Sequence, residues 1–202
     1  MRTLVIDTAT PHLSVALFEH GQLIGHRHEL IGRGHAELLV PSIAALPDGG
    51  WANKVCVGCG PGSFTGQRIG LSAARALAFV WNAELWGFNS LALVAADGRK
   101  RSGARSVAVA VDGGHGEWLT ADDVDGERVI EAGTMPPESA CLAVASPIVA
   151  GQRGAELVRL RGWGESTEAE ADTRLFPLLG PQQCFAHPRP LYARPPDAKA
   201  AA

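Results

Sequence analysis

Long apolar runs are missing from this sequence, and their absence excludes several classes of protein. No stretch approaches the ~18–20 uninterrupted apolar residues that a membrane-spanning helix needs. The first apolar run, Leu4–Ile6, is too short for a signal peptide and ends at Asp7. We therefore expect a cytoplasmic protein with no membrane contact.

Cysteine and net charge are also scarce. The four cysteines follow no secreted disulfide framework, so we interpret all of them as reduced thiols: Cys56, Cys59, Cys141 and Cys184. A formal net charge of −3 gives no cationic field that could hold nucleic acid by counterion release. This argues against a free-standing RNA-binding module, but it leaves open a subunit that serves RNA through a basic partner. Apolar residues, at 46%, still suffice for a globular core.

In the first half of the chain, the spacing of apolar residues changes from that of strands to that of helices and back. Three short strands joined by turn residues predict an antiparallel meander, and a helix, a strand, a long helix and a strand follow. The predicted strands are Leu4–Ile6, Leu13–Leu17, Gln22–Leu30, Lys54–Cys59 and Leu85–Phe88. The predicted helices are Ala36–Leu46, which contains Pro41, and one that runs from the turn Gly60–Ser63 to Trp81.

The second half follows a charge- and glycine-rich stretch, Asp97–Ala104, which we predict to be a linker. Strands are predicted at Val107–Val111, Glu117–Ala121, Arg128–Glu131, Cys141–Ala145 and Leu157–Leu160, with a weak helix near Thr167–Leu179 and a frayed tail at Pro195–Ala202. Both halves contain an apolar strand that ends in aspartate, a turn and a returning strand, so Asp7 and Asp112 occupy matching places. We therefore predict two lobes, residues 1–96 and a smaller lobe of residues 97–202.

The turn after the first strand has polar groups that could approach a phosphate or its metal ion, but it lacks the glycines of a phosphate-binding turn. Asp7 and Thr8 supply polar groups, whereas Ala9 and Thr10 stand where glycines would let backbone amides wrap a phosphate. We expect Asp7 to cap a turn. Gly113 and Gly114, which follow Asp112, keep more of the phosphate-binding character.

The turn Gly60–Ser63 resembles two catalytic motifs without matching either. A P-loop needs lysine after its last glycine, where this chain has Gln67. A nucleophile elbow needs glycine two residues before and after the serine, where this chain has Pro61 and Thr65. We expect Ser63 or Thr65 to cap the following helix instead.

Four motifs give a family resemblance. Gly60–Gly70 (GPGSFTGQRIG) resembles the signature of the TsaB (YeaZ-like) family, the small paralogue of the threonylcarbamoyl transferase TsaD, which modifies the tRNA adenosine beside the anticodon. Ile6–Thr10 resembles the family's opening turn, Arg33–His35 its Arg-x-His step, and Pro190–Arg194 its Pro-x-Tyr-x-Arg segment. The resemblance is strong over roughly residues 1–95 and patchy beyond. The first helix is shorter than usual in the family, and the second lobe is compact.

The resemblance implies a fold and a set of partners. The fold is α/β and actin-like (the ASKHA, ribonuclease H-like ATPase fold), with two lobes that each contain a mixed sheet flanked by helices. The implied role is that of a non-catalytic subunit, which pairs with a TsaD-like catalytic paralogue, supports docking of a TsaE-like ATPase, forms a homodimer in isolation and contacts tRNA indirectly. No firmly bound cofactor is implied, and ATP or ADP at a subunit junction stays open. The alternative is an active enzyme of the same fold, either a nucleotide-dependent phosphotransferase or a metallopeptidase-like hydrolase.

The second predicted helix has one face of small residues and one with the composition of an interface. Gly62, Gly66, Gly70, Ala74 and Ala78 recur every four residues, and we expect this stripe to pack on the protein's own sheet. At 100° per residue a different set lies on the opposite face, which predicts a protein–protein contact. The predicted partner interface consists of Arg68, Leu71, Ser72, Arg75 and Phe79, together with Arg33, His35 and Phe64.

Catalytic and metal-binding residues are not predicted. The turn residues that occupy the phosphate-loop position are Asp7, Thr8, Gly60, Gly62, Ser63, Thr65 and Asp112. His35 has Leu39 one helical turn later, where the catalytic paralogue has a second histidine ligand. His26 and His28 share a strand face, but the sequence offers no evident third ligand. Cys56 and Cys59 are three apart in a strand and so point to opposite faces, which argues against a metal clamp or a redox pair.

Overall fold

The computed structural model describes residues 1–193 and begins with the predicted antiparallel meander. Strands β1 (Arg2–Asp7), β2 (His12–Glu19) and β3 (Gln22–Leu30) are neighbours in that order. His20 and Gly21 form the β2–β3 turn with φ of 51° and 81°, the left-handed conformation that a two-residue hairpin turn requires. The Pro195–Ala202 segment, for which fraying was predicted, and Arg194 lie outside the described residues.

Helices and parallel strands extend the first sheet. The order along the chain is α1 (His35–Ala44), β4 (Lys54–Gly58), α2 (Phe64–Trp81) and β5 (Glu84–Phe88), with a short 3₁₀ helix at Pro47–Gly50. Strands β1, β4 and β5 are parallel neighbours. The last strand of the described chain, Cys184–Ala186, pairs antiparallel with β5 and closes this sheet on its outer edge.

The second sheet is built from the middle of the chain. After α3 (Ser90–Ser102) come β6 (Ala108–Gly114), β7 (Glu117–Val124), β8 (Arg128–Met135), α4 (Pro137–Ala143), β9 (Ile148–Ala150), α5 (Gly154–Arg161) and β10 (Glu165–Thr167). Two 3₁₀ helices, Thr173–Leu178 and Pro181–Gln183, lead to β11 (Cys184–Ala186).

The two sheets repeat one plan. Their strand orders are β11-β5-β4-β1-β2-β3 and β10-β9-β6-β7-β8, so both contain an antiparallel meander with two parallel strands beside its first strand. Asp7 ends β1 and accepts a hydrogen bond from the amide of Ala9 at 3.0 Å, while Asp112 accepts one from the amide of Gly114 at 2.8 Å. The predicted equivalence of Asp7 and Asp112 is confirmed, and the fold is the actin-like α/β fold with a mixed sheet in each lobe.

Three predicted elements of the second half are wrong. The Asp97–Ala104 stretch is not a linker, because α3 continues through Ser102 and buries both Asp97 and Gly98. Cys141–Ala145 and Leu157–Leu160 are not strands, since they fall mainly within α4 and α5. The weak helix near residues 167–179 is the 3₁₀ helix Thr173–Leu178. The predicted lobe boundary between residues 96 and 97 lies within α3.

Helix α3 joins the cores of the two lobes. Its residues Leu91–Ala96 are almost fully buried, and all of them except Ala92 belong to one cluster that also contains Val5 of the first sheet and Val109 of the second. A second cluster packs α1 and α2 onto the first sheet, and a third packs α4 and α5 onto the second. No helix in residues 1–193 combines the length and apolar character needed to cross a bilayer.

Candidate functional site

A cleft of about 1130 Å³ opens between the lobes at the ends of the paired strands. On one side it is lined by the β1–β2 turn, Ala9–His12, and by the start of α2, Gly62–Phe64. On the other side it is lined by the end of β6, Val111–His115, and by Glu168–Ala171. Ligands of open α/β sheets bind in such crevices at the strand ends, so this cleft is the first place to test for a ligand.

Asp7 and Thr8 do not line this cleft. Both are fully buried. Asp7 accepts hydrogen bonds from the Ser90 hydroxyl at 2.5 Å and from the Ala9 amide at 3.0 Å, and Thr8 donates to the carbonyl oxygen of Gly66 at 2.8 Å. Burial raises the pKa of Asp7 to about 6, and the bond from Ser90 opposes that shift. The expected turn cap is confirmed, and the polar groups of this turn bind other parts of the chain.

The Gly60–Ser63 turn holds α2 against the β1–β2 turn. Ser63 caps α2 by accepting the amide proton of Gly66 at 3.1 Å, which confirms the capping prediction for Ser63. A Cβ at Gly62 would lie 2.2 Å from the carbonyl oxygen of Ala9, and one at Gly66 would lie 2.0 Å from that of Thr8. The small-residue stripe therefore packs against the protein's own first lobe, as predicted.

Two further members of the predicted phosphate-loop set lie at this end of α2. Gly60 packs on the buried side chain of Gln67, since a Cβ there would meet its amide at 2.4 Å. Thr65 is exposed in the first turn of the helix. The side-chain amide of Gln67 donates from Nε2 to the carbonyl oxygen of Gly62 at 3.1 Å and so stabilises the turn.

Asp112 differs from its counterpart Asp7 in its surroundings. It is exposed at the cleft and lies 3.4 Å from the Arg153 guanidinium. Its carboxylate can therefore meet a ligand in the cleft, whereas that of Asp7 cannot. An acidic group at this position attracts cations or amines rather than a bare phosphate.

Four of the five predicted interface positions on α2 are exposed, and one is buried. Arg68, Ser72, Arg75 and Phe79 are exposed, and the Phe79 side chain is 89% exposed. Leu71 is wrong as an interface residue, because only 3% of it is accessible and it belongs to the core of the first lobe. The buried side of α2 includes two neighbouring rows of side chains, because α1 and the first sheet both pack against this helix.

The C-terminal segment packs over the start of α2. The Arg68 guanidinium lies 3.7 Å from the centre of the Phe64 ring and donates to the Tyr192 hydroxyl at 3.0 Å. The Phe64 and Tyr192 rings stack with their centroids 5.1 Å apart, and Arg75 donates to the carbonyl oxygen of Pro188 at 2.9 Å. Phe64 and Arg68, two predicted interface residues, thus have partners within the chain and still keep exposed surface.

Arg33 and His35 are separated by their environments. Arg33 is exposed in the loop before α1, whereas His35 is buried at the first position of the helix. Its Nε2 atom lies 3.3 Å from the carbonyl oxygen of His12. His35 therefore helps fasten α1 to β2 and has little surface to offer a partner.

His28, for which the sequence offers no evident third ligand beside His26, lies in a cluster that does not include His26. The structure brings His28 together with His12 and Glu170, and the potential ligand atoms of the three all lie within 4.8 Å of one another. His12 and His28 are diagonal neighbours on β2 and β3, and the predicted meander could have revealed that pair. Glu170 is 142 residues from His28, and no local pattern marks it.

The cysteines of the C-x-x-C spacing face opposite sides of the first sheet, as predicted. Cys56 packs in the core shared with α3, and Cys59 packs in the core below α1 and α2. Burial raises the pKa of each thiol to about 12. Thiolate chemistry at either residue is therefore suppressed at neutral pH.

Comparisons with known proteins agree with the sequence motifs. Residues 25–154 match the family described as TsaD: tRNA N6-adenosine threonylcarbamoyltransferase. A Mycobacterium tuberculosis protein described as uncharacterized is 31% identical over 97% of this chain and 93% of its own length. The tRNA threonylcarbamoyladenosine biosynthesis protein TsaB of Escherichia coli is 38% identical over 60% of this chain and 54% of its own length. The structure of YeaZ from Pseudomonas aeruginosa has a TM-score of 0.75 and 28% identity, over 95% of this chain and 99% of that one.

Proposed function

Because this chain belongs to the TsaD family and its resemblance to the TsaB proteins is confirmed, we propose that it acts in the cytoplasm as a non-catalytic subunit for threonylcarbamoyl modification of tRNA. It would pair with a TsaD-like catalytic paralogue, and the pair would receive a TsaE-like ATPase. The tRNA would be contacted indirectly, which agrees with a net charge of −3.

One observation carries the pairing proposal: apolar and arginine side chains are exposed together on the outer faces of α1 and α2. We define the partner face as Val40, Arg68, Ser72, Arg75 and Phe79. Val40 is 58% exposed and Phe79 is 89% exposed, and a phenyl ring buries 150–250 Å² when it is covered. Exposed aromatic and arginine side chains on one face are typical of binding hot spots.

The two helices also form a shallow groove that fits a partner helix. It measures about 490 Å³ and is lined by small and apolar residues of α1 and by the first half of α2, including Ala36, Val40, Arg68 and Ser72. A paralogue of the same fold carries equivalent helices, so a bundle of two helices from each subunit would cover this groove. The same face would serve the homodimer in isolation, and the catalytic paralogue would therefore compete with self-association.

The first turn supports a role without independent turnover. The groups of Asp7 and Thr8 that could approach a phosphate are fully buried and bonded within the chain. A nucleotide, ATP or ADP, would then bind only where a partner completes the cleft from outside.

An enzyme of the same fold is the second candidate, and the 1130 Å³ cleft favours it. Asp112 is the exposed carboxylate at the strand end of the second lobe. ATP hydrolysis by the purified chain, lost in Asp112→Asn, would support this candidate against the subunit role.

Reconstitution of tRNA modification tests the proposed role directly. Purified catalytic paralogue, ATPase, threonylcarbamoyl donor and tRNA are combined with and without this chain, and modified adenosine is measured by mass spectrometry. We expect modification to depend on the chain. Equal modification in its absence would refute the subunit role.

Phe79→Asp tests the partner face. A hot-spot loss of at least ~2 kcal/mol weakens pairing by roughly 30-fold, so co-elution with the paralogue should disappear while the monomer keeps its melting temperature. Leu142→Asp is the matched control, since Leu142 is 90% exposed on α4 in the other lobe. Co-elution that survives Phe79→Asp, or that Leu142→Asp abolishes equally, would contradict this assignment.

A further inference from the structure

Two histidines and a glutamate converge where the first sheet meets the segment that returns from the second lobe. His12 begins β2, and His28 on β3 pairs in register with Ser14, so the two histidines are diagonal neighbours on one face of the sheet. Their rings stack with centroids 4.8 Å apart and planes at 4°. Glu170 reaches across both rings from the segment that follows β10.

The carboxylate of Glu170 divides its two oxygens between the two rings. Its Oε1 atom lies 3.3 Å from Nε2 of His12, and its Oε2 atom lies 2.9 Å from Nε2 of His28. The two histidine side chains are only 15% and 13% exposed, whereas that of Glu170 is 44% exposed. His12 and Glu170 line the cleft, so the group has one side open to solvent.

We propose that His12, His28 and Glu170 bind one Zn²⁺ ion. Two imidazoles and one carboxylate form a ligand set that zinc takes in proteins, with a water completing the tetrahedron. Tetrahedral zinc with bonds of about 2.1 Å holds its ligand atoms about 3.4 Å apart, and the candidate ligand atoms here all lie within 4.8 Å of one another, so small side-chain movements would bring them onto one ion. The nearly parallel rings would turn toward the shared ion, and a rotation of His12 about its Cβ–Cγ bond provides this movement.

The surroundings of His28 orient its ring as the neighbours of a metal ligand do. Its Nδ1 atom lies 3.0 Å from the Ser14 hydroxyl, which also accepts the Thr173 amide proton at 3.0 Å. Metal-bound histidines fix their ring through a hydrogen bond at the second nitrogen. When the proton of the His28 ring is on Nδ1, the lone pair of Nε2 faces the Glu170 carboxylate. A cation that binds both Nε2 and the carboxylate stabilises this arrangement.

The ion would have a structural consequence for the lobes. The backbone amide of Glu170 donates to Asp97 of α3 at 3.1 Å, so the same short segment already contacts the helix that joins the two cores. Zinc would add a link from that segment to β2 and β3. This inference concerns how the lobes are held together and goes beyond the subunit role, which does not depend on it.

The competing arrangement is a hydrogen-bonded group in which one protonated histidine shares the carboxylate without metal. Zinc binding to the full chain separates the two. The untagged protein is treated with chelator, dialysed and titrated with ZnCl₂ by calorimetry, and MgCl₂ is titrated separately because imidazole ligands disfavour magnesium.

Three variants are compared with the natural chain. Glu170→Gln and His12→Gln each remove one ligand while keeping a polar side chain of similar size. His26→Ala is the control, since His26 is exposed on the same strand as His28 and lies outside the group. Chelator-treated melting curves of every variant report whether it folds.

We expect one zinc ion per natural chain and per His26→Ala chain. At a hundredfold excess over Kd, zinc should raise their melting temperature by about 5–10 °C. Glu170→Gln and His12→Gln should bind at least about tenfold more weakly. Equal zinc affinity in all four folded proteins, no saturable binding by the natural chain, or binding of magnesium with the same affinity would overturn the proposal.

Discussion

Replacing Asp7 with asparagine should stabilise the protein at pH 8 and leave its stability almost unchanged at pH 4.5. Asp7 is fully buried, and among the described residues no basic side chain forms a salt bridge with it. Burial raises the pKa of its carboxyl from 3.8 to about 6. Because the folded state holds the proton more tightly than the unfolded state, ionisation of Asp7 opposes folding as pH rises from about 4 to about 6.

The size of the effect follows from that difference. Two pKa units at 1.36 kcal/mol each amount to about 3 kcal/mol, present in full at pH 8 and reduced to about 1 kcal/mol at pH 4.5. Asparagine still accepts the Ala9 amide proton, but the Ser90 hydroxyl loses its acceptor, at a cost of about 1 kcal/mol. Asp7→Asn should therefore gain about 2 kcal/mol at pH 8 and close to none at pH 4.5.

Urea denaturation of the natural chain and the variant at both pH values measures these differences. Asp112→Asn is the control, because Asp112 makes the same type of turn but is exposed, so its change should stay below about 1 kcal/mol at either pH. An Asp7→Asn protein that is less stable at pH 8, or whose difference from the natural chain does not depend on pH, would refute the reasoning.

Two further substitutions test the interior, both by urea denaturation. Leu71→Ala should cost about 2–5 kcal/mol because Leu71 lies in the core, whereas Ser72→Ala on the exposed side should change stability by less than about 0.5 kcal/mol; similar effects would contradict the burial of Leu71. The Arg99 guanidinium lies 2.6 Å from the buried carboxylate of Asp123. Arg99→Met should lower the free energy of unfolding by about 3–5 kcal/mol, because it leaves that carboxylate without a cation. Adding Asp123→Leu should recover most of the loss, and a double variant as unstable as the single one would argue against the ion pair as the cause.

The first lobe could be predicted from the sequence because its signals are local. The β1–β3 meander has turn residues between strands, and α2 has a capping serine and a four-residue repeat of small residues. The sequence predicted Leu71 on the exposed face because a helical wheel gives the direction of a side chain around the helix axis. It does not show how many neighbouring rows of side chains are buried. The number of buried rows on α2 depends on α1, which packs beside it.

The second lobe was harder because its elements are short. Cys141–Ala145 and Leu157–Leu160 are apolar runs that fit a strand or a buried helix equally well by periodicity. Pro137 at the first turn of α4 and Gly162 at the end of α5 were the available helix signals. The zinc-type group could not be predicted, since Glu170 reaches the histidines only after the chain has crossed the second lobe and returned.

That return has a consequence for how the protein emerges from the ribosome. Strand β5 is made by residue 88, but the strand that covers its outer edge, Cys184–Ala186, is translated about a hundred residues later. At ~5–20 residues per second, the nascent first lobe waits roughly 5–20 s with an open edge strand. Cys184–Ala186 thus completes a sheet whose first strands are synthesised long before it, and a chain terminated before this strand would leave the edge of β5 unpaired and prone to association.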